Sequence, residues 1–163
     1  MYLAEVPSPV GNLLLLGGAE GRLHGLYLPD HLRSPVASPA WRRDDGRLRA
    51  AREQLEAYFA GERSVFSLER CASGSAFQER VWRALERIPY GTTVTYGELA
   101  RRLGSPAAAR AVGLANGRNP ISIVVPCHRV VGAGGRLTGY GGGLEAKAWL
   151  LAHERAVLAK GAG

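Results

Sequence analysis

Short apolar runs separated by turn residues fill the first part of the chain. Three of these runs have the length of a strand: residues 3–6, 12–16 and 23–28. They predict three strands in hairpin-like succession. After the polar, Pro-rich stretch 29–45, apolar residues at helical spacing from Leu48 to Phe59 predict an amphipathic helix that ends at Gly61. This part is therefore predicted to be a small α/β scaffold.

The pattern changes to that of helices near Ser75. Ser75 and Gln78 form a capping-box pattern ahead of apolar residues at helical spacing, which extend from Phe77 to Ile88. We place a domain boundary just before this helix. The predicted domains are an N-terminal scaffold over residues 1–73 and a second domain over residues 74–163.

Two short helices are predicted in the middle of the second domain. Thr95 begins a second capping box, with Glu98, for a helix that ends at Gly104. Ser105, followed by a proline, is the predicted N-cap of the next helix, which runs to Ala115. Two short helices joined by a tight glycine turn have the layout of a helix-turn-helix motif.

The last third of the chain mixes a strand pattern, glycine turns and one helix. The β-branched run 121–125 predicts a short buried strand that ends at Pro126. Glycines at 132, 134 and 135 predict a hairpin, residues 139–143 a flexible loop, and Leu144 to Leu158 a closing helix. The predicted fold class is α+β.

Positive charge is concentrated in the second domain. The chain has a net charge of +7, yet residues 1–73 hold nine Arg and nine acidic residues, whereas residues 74–163 hold twelve basic and five acidic residues. Such asymmetry favours a polyanionic partner, because Lys and Arg displace counterions from phosphates. A solvated basic surface without a partner is the alternative that charge alone leaves open.

Cysteine and histidine usage argues against disulfides and metals. Two cysteines, Cys71 and Cys127, are too few for a disulfide framework, and we expect both to be free thiols. None of the four histidines has the spacing of a zinc site, so no metal or cofactor is expected. Without an apolar run of about 18 residues or a secretory pattern at the N-terminus, we expect a cytoplasmic protein with no membrane partner.

Cys127 has the local sequence of a reactive thiol. Pro126 fixes the backbone before it, and His128 and Arg129 add potential positive charge, which favours the thiolate. Cys71 has no such surroundings and is interpreted as an inert small residue. The Pro-Cys-His triplet alone does not decide whether Cys127 is a nucleophile.

A longer match surrounds this cysteine. The stretch 119–131, NPISIVVPCHRVV, closely resembles the active-site signature of the O6-alkylguanine-DNA alkyltransferases. Six further segments resemble that family in order and spacing: residues 77–82, 88–91, 95–100, 109–113, 139–143 and 147–154. The match covers essentially all of residues 74–163, whereas residues 1–73 fit only in length and coarse pattern. The resemblance implies a ribonuclease H-like domain followed by a helix-turn-helix, winged-helix-like domain.

The resemblance also implies the reaction and the residues that perform it. A methyl or alkyl group passes irreversibly from guanine O6 in duplex DNA, with thymine O4 as a further candidate, to Cys127, and each molecule reacts once. His128 takes the thiol proton through a water, and Glu154 orients His128. Tyr96 donates a proton to the departing guanine. Asn119 ties the recognition helix to the active-site segment.

The remaining residues implied by the resemblance contact DNA or the target base. Arg110 fills the gap left by the flipped base, and the other candidate contacts are Ala109, Ala111, Gly113, Arg118 and Arg129. Small side chains make this a slim helix suited to the minor groove. The base pocket is formed by the Val130 carbonyl, Tyr140 and Gly141, which replaces a serine of some relatives. The expected partner is double-stranded DNA that contains O6-alkylguanine, bound by a monomer.

Two other functions stay open at this point. A non-catalytic protein that binds alkylated DNA would share the helix-turn-helix motif, but proteins of that kind lack the reactive cysteine. A thiol hydrolase could use Cys127 and His128. It would leave the basic second domain and the Ala-rich helix without a purpose.

Overall fold

The computed structural model describes residues 1–71 and 73–161, and the chain folds as two compact units. One unit comprises Met1–Ala72 with Pro120–Ser122, and the other comprises Ser73–Asn119 with Ile123–Gly163. The predicted boundary after residue 73 differs from the first division by one residue. That Pro120–Ser122 belongs to the first unit was not predicted.

The first unit is built on a four-stranded sheet in the order β3-β2-β1-β4. Its strands are β1 Tyr2–Val6, β2 Leu13–Gly17, β3 Leu23–Tyr27 and β4 Arg42–Arg43. The first three, which pair antiparallel, confirm the predicted strands. The short β4 pairs parallel to β1 inside the Pro-rich stretch and has no apolar pattern that could have predicted it.

The core of this unit lies between the sheet and one helix. Ala4, Leu15 and Leu26 face one another across the three main strands and are completely buried. Helix α1, Arg49–Phe59, buries Leu55 and Tyr58, as its predicted apolar face requires. Gly61, with φ +77°, lies directly beyond the helix in the left-handed region that glycine favours.

The predicted strand over residues 121–125 is wrong. Only Ile121 is bridged to β3, where the Leu26 N–H donates to the Pro120 carbonyl at 2.9 Å and the Ser122 N–H donates to the Leu26 carbonyl at 3.1 Å. The following residues form turns, and Ile123 has φ +71°. A β-branched residue in the left-handed region costs about 1–3 kcal/mol, so the surrounding structure must enforce this turn.

The second unit contains four helices and one small parallel sheet. The helices are α2 Ala76–Glu86, α3 Tyr96–Arg102, α4 Ala109–Gly117 and α5 Leu144–Gly161. Strands β5, Val94–Thr95, and β6, Val130–Val131, pair in parallel. The capping box of α2 is confirmed: Gln78 N–H donates to Ser75 Oγ at 3.1 Å, and Ser75 N–H donates to Gln78 Oε1 at 2.9 Å.

Helices α3 and α4 have the predicted helix-turn-helix order. Thr95 Oγ1 accepts the Glu98 N–H at 3.1 Å, and Gly104 adopts φ +76° in the connecting turn. The predicted side-chain cap by Ser105 is wrong, because Ser105 makes no such bond. Residues Pro106–Ala108 form a 3₁₀ turn instead, and α4 begins only at Ala109.

The segment after β6 also departs from its prediction. The segment predicted as a hairpin at glycines 132–135 contains a 3₁₀ turn, in which the Gly135 N–H donates to the Gly132 carbonyl at 3.0 Å. The Gly132 N–H donates to the Arg136 carbonyl at 2.8 Å across the same chain reversal. The closing helix is confirmed as α5, with Lys147, Leu150, Leu151 and Glu154 on its buried face. Within the described part of the chain, none of the helices combines the length and apolar character needed to cross a bilayer.

The two serines that were predicted as N-caps provide a matched test of capping. We expect Ser75→Ala to lower the free energy of unfolding by about 1 kcal/mol, because it removes a side-chain acceptor from the first turn of α2. Ser105→Ala should change it by less than about 0.5 kcal/mol, since no cap bond is lost. Urea unfolding of both variants measures the difference. Equal losses would contradict this interpretation.

Candidate active site

Cys127 lies at the start of a sharp turn in the second unit. Pro126 has φ −80° and ψ 63°, and the Cys127 N–H donates to the Val125 carbonyl at 2.8 Å. These are the features of an inverse γ-turn, which the fixed φ of proline favours. Residues Cys127–Arg129 then form a 3₁₀ turn. The backbone therefore fixes the position of the sulfur-bearing residue on both sides.

Two asparagines connect α4 and its C-terminal end to this turn. Asn119 Nδ2–H donates to the Val125 carbonyl at 2.9 Å, and Asn116 Nδ2–H donates to the Cys127 carbonyl at 3.3 Å. Both side chains are buried. Asn119 thus has the connecting position that the resemblance implied, whereas Asn116 was not predicted.

The thiol of Cys127 is only 5% exposed, in contrast to the exposed Cys71. Burial raises the pKa of the Cys127 thiol, because it disfavours the thiolate. The side chains of Asn119 and Tyr140 and the positive charge of Lys147 lower the pKa of the thiol and so counteract this effect. The surroundings therefore contain the donors and the charge that a thiolate needs, in a place that is shielded from water.

His128 and Glu154 form a completely buried pair. His128 Nε2 lies 2.7 Å from Glu154 Oε2, and neither side chain is exposed. Burial raises the pKa of Glu154, but the bonds and charges of His128 and Arg129 hold it well below its usual range. Burial lowers the pKa of His128 below its ordinary value, although Glu154 opposes this shift. The pair is therefore an ionised carboxylate and a neutral imidazole at neutral pH.

This pairing fixes which nitrogen of His128 can accept a proton. An ionised carboxylate only accepts hydrogen bonds, so the Nε2 atom facing Glu154 bears the hydrogen. Nδ1 is then the basic nitrogen. It is buried and has no hydrogen-bond partner among the described residues.

Glu154 is also the partner of Arg129. Arg129 Nε–H and Nη2–H donate to the two oxygens of Glu154 at 2.9 and 3.0 Å, and Arg129 Nη1–H donates to the Ile88 carbonyl at 2.8 Å. The side chain is buried. This placement does not fit the predicted DNA contact of Arg129, nor the predicted supply of positive charge to the thiol. Its charge is neutralised by Glu154.

Lys147 is the cation that sequence reasoning missed. It is completely buried in α5, and its Nζ donates to the carbonyls of Thr138 and Gly139 at 2.9 and 3.3 Å. Burial lowers its pKa to about 8, and Cys127 opposes the shift. A signal was present: Lys147 precedes Glu154 by seven residues, and this spacing places both on one face of a helix.

The predicted pocket residues lie on other segments of the same unit. Thr138 Oγ1 lies 3.5 Å from the hydroxyl of Tyr96 at the start of α3. Tyr140 and Gly141 lie in a turn closed by the Gly143 N–H donating to the Tyr140 carbonyl at 2.9 Å. Val130 is buried in β6, three residues after Cys127 and two residues after His128.

The predicted DNA-contacting residues lie mainly on α4. Arg110, Ala111 and Arg118 are exposed, and Ala109 and Gly113 are half-buried. The opposite face buries Val112 and Ala115, and the Ala115 carbonyl accepts the Trp82 indole N–H at 2.9 Å. The exposed surface of α4 and of the residue after it therefore combines Arg110 and Arg118 with small side chains and Leu114.

No metal centre is evident in what the structure describes. Among residues 1–71 and 73–161, no three His, Cys, Asp or Glu side chains are grouped so that they could hold a metal ion. The described residues do place a buried thiol, an imidazole and a buried carboxylate in one unit, which are the residue types of a nucleophile, a base and an orienting group. This arrangement can support the attack of a sulfur atom on an electrophilic carbon.

Both units match domains of a known protein family. The ribonuclease-like domain of 6-O-methylguanine DNA methyltransferase matches residues 1–70, and the DNA binding domain of the same family matches residues 76–156. The methylated-DNA–protein-cysteine methyltransferase of Mycolicibacterium paratuberculosis is 56% identical over 150 residues, which cover 92% of this chain and 90% of that protein. The protein of the same name from Methanosarcina acetivorans is 50% identical over 93% of this chain and 96% of its own length.

A solved structure extends the similarity to three dimensions. The crystal structure of Mycobacterium tuberculosis OGT in complex with DNA has a TM-score of 0.89 and 48% identity, and the match covers 96% of this chain and 94% of the other. The shared fold and the high identity over nearly the full length of both chains lead to one conclusion. The chain belongs to the 6-O-methylguanine DNA methyltransferase family.

Proposed function

We propose that Cys127 is the residue that accepts an alkyl group from the O6 atom of guanine in duplex DNA. Membership of the family means that the chain repairs alkylated DNA by direct transfer of the alkyl group to a cysteine. One observation supports Cys127 above all: a buried thiol adjoins a histidine whose second nitrogen is bonded to a buried carboxylate at 2.7 Å. Cys71, in contrast, is exposed.

His128 acts as the base that removes the thiol proton. Its Nδ1 lone pair is available, and the ionised Glu154 stabilises the imidazolium that forms, which is the role of the carboxylate in a catalytic triad. In this family a water relays the proton. Asn119 and Tyr140 hold the thiolate by hydrogen bonds.

The transfer is a single displacement. The thiolate sulfur attacks the alkyl carbon, a sulfur–carbon bond forms, and the carbon–O6 bond breaks with its electron pair passing to guanine. Tyr96 donates a proton to the departing base. A thioether carbon is a poor target for the groups around it, so the thiol is not regenerated and each molecule reacts once.

The target base must leave the duplex, since a buried thiol cannot reach a stacked base. Arg110 enters the gap, and the slim exposed face of α4 docks in the minor groove. Duplex DNA is the partner, and a relative of 48% identity was solved in complex with DNA. We propose that the protein acts as a monomer in the cytoplasm, where both thiols stay reduced.

Intact-mass analysis tests this proposal directly. After mixing with a duplex that contains O6-methylguanine, the protein should gain the mass of one methylene group on the peptide holding Cys127, and then stop reacting. Cys127→Ala should gain nothing, whereas Cys71→Ala should react like the parent. A mark elsewhere, or repair of many lesions per molecule, would refute the assignment. A thiol hydrolase or a non-catalytic binding protein would not gain the mass of one methylene group on this peptide.

The role of His128 predicts a pH dependence. His128→Gln, which can still bond to Glu154, should slow alkyl transfer by about 10²–10⁴-fold, the usual contribution of a general base. Because burial lowers the pKa of His128, the parent rate should fall only below about pH 6.5. Single-turnover rates from pH 5 to 8 measure both effects. The variant should lack the acidic decline, and His153→Gln on α5 is the matched control that should leave the rate unchanged.

Arg110 separates DNA handling from chemistry. Arg110→Ala should slow repair of duplex DNA by about tenfold, equal to about 1.4 kcal/mol, because the gap in the base stack is no longer filled. Its reaction with a free O6-alkylguanine base should be unchanged, since no duplex is opened. Arg155→Ala, an exposed arginine on α5, is the control. Equal losses on both substrates would show that Arg110 acts on the pocket instead.

A further inference from the structure

Lys147 is an unusual choice of residue for its position. The chain has 21 basic residues, and only two of them, Lys147 and Lys160, are lysines. Lys160 is exposed near the end of α5, whereas Lys147 is completely buried. In a chain that otherwise uses arginine, a buried lysine places a compact ammonium group where the wider guanidinium would need more room.

The buried ammonium group of Lys147 has hydrogen-bond acceptors but no ion-pair partner among the described residues. Its two carbonyl partners, Thr138 and Gly139, are neutral. Among residues 1–71 and 73–161, no carboxylate forms an ion pair with Lys147, and the nearby Glu154 is engaged by His128 and Arg129. Burying an unpaired charge is costly, so the site calls for an anion. Lys147 interacts electrostatically with Cys127, which raises the pKa of the lysine, and with His128, whose pKa Lys147 lowers.

The same ammonium group holds the loop that completes the pocket. Thr138 and Gly139, whose carbonyls it binds, directly precede Tyr140, and Tyr140 lowers the pKa of the Cys127 thiol. The Thr138 side chain lies 3.5 Å from the Tyr96 hydroxyl. The position of Lys147 is therefore linked to three groups around the sulfur.

We propose that Lys147 is a positioning residue whose ammonium group is the counter-charge of the Cys127 thiolate and fixes the loop carrying Tyr140. The inference deepens the proposed function and rests on Cys127 as the nucleophile. It also has a consequence for the product. Once the sulfur becomes a neutral thioether, Lys147 loses its counter-charge.

Several other ionisable groups surround this pair, and each must be considered in a test by pH. They are His128 and Arg129 on the nucleophile turn, Glu154 on α5, Tyr140 on the pocket loop and Tyr96 on α3. Glu154 and Arg129 neutralise each other and stay charged over the neutral range. The pH range 6.5 to 9 therefore reports mainly on Lys147 and the thiol.

Iodoacetamide tests the charge without DNA, because the Cys127 thiolate displaces iodide and forms a thioether. All variants carry Cys71→Ser, which removes the exposed thiol. At pH 7 we expect Lys147→Gln, which keeps a donor but no charge, to react about tenfold more slowly, corresponding to a thiol pKa about one unit higher. Lys147→Arg, which keeps the charge on a wider group, should lose clearly less reactivity than Lys147→Gln.

The pH dependence distinguishes a charge from a merely structural role. The deficit of Lys147→Gln should be greatest below pH 8 and should shrink above it, because the parent lysine loses its own proton with a pKa of about 8. Lys147→Gln reacting like the parent at pH 7 would overturn the proposal. So would a deficit that is the same at every pH, or one that is equal in the arginine variant.

A second measurement needs no change at Lys147. With ¹³C-labelled lysine, the protein gives two side-chain signals, and Lys160 serves as the internal control. Conversion of Cys127 to a thioether should move the titration midpoint of Lys147 to lower pH and leave that of Lys160 unchanged. An unchanged titration midpoint of Lys147 would refute its pairing with Cys127. Failure of DNA repair with this coupling intact would instead count against the proposed function.

Discussion

The carboxylate of Glu154 is the group on which the active-site unit depends. It is completely buried and accepts hydrogen bonds from the Gly91 N–H at 3.0 Å, from His128, and twice from Arg129. A buried carboxylate is stable only when its oxygens are satisfied in this way. Because these partners hold its pKa below the ordinary value, its stabilisation is complete above about pH 4.3 and is lost as the pH falls. Protonation would leave Arg129 buried without a counter-ion.

Two cations in this centre face two different acidic groups. Arg129 binds Glu154 through two nitrogens, which suits the planar guanidinium, and so it adds little field at the sulfur. Lys147 lies on α5 and interacts electrostatically with Cys127. This separation matters because a thiol that is 5% exposed is reactive only if specific groups replace the lost solvation of its anion. The local sequence suggested Arg129 as the cation beside the sulfur. This was wrong, because the side chains of residues close in sequence need not point to the same atom.

The sequence predicted those elements whose signals are local. The capping box at Ser75 and the apolar faces of α1 and α5 are properties of a few neighbouring residues, and each element formed as expected. The failures arose where distant contacts override local preference. The apolar run 121–125 has the composition of a strand, yet only Ile121 pairs with β3, and Ile123 turns into the left-handed region. Similarly, the burial of Arg129 and Lys147 depends on partners 25 and 8–9 residues away.

The geometry of the turn at Cys127 suits the single-turnover transfer that we propose. The inverse γ-turn at Pro126, the strained Ile123 and the bonds from Asn116 and Asn119 fix the backbone so that the sulfur needs little rearrangement before attack. An enzyme with turnover must also release its product from such a rigid, buried position. A protein that keeps the alkyl group has no such requirement, so rigidity costs it nothing in rate. The donors that stabilise the thiolate then face a neutral thioether, and alkylation and stability become thermodynamically linked through the same contacts.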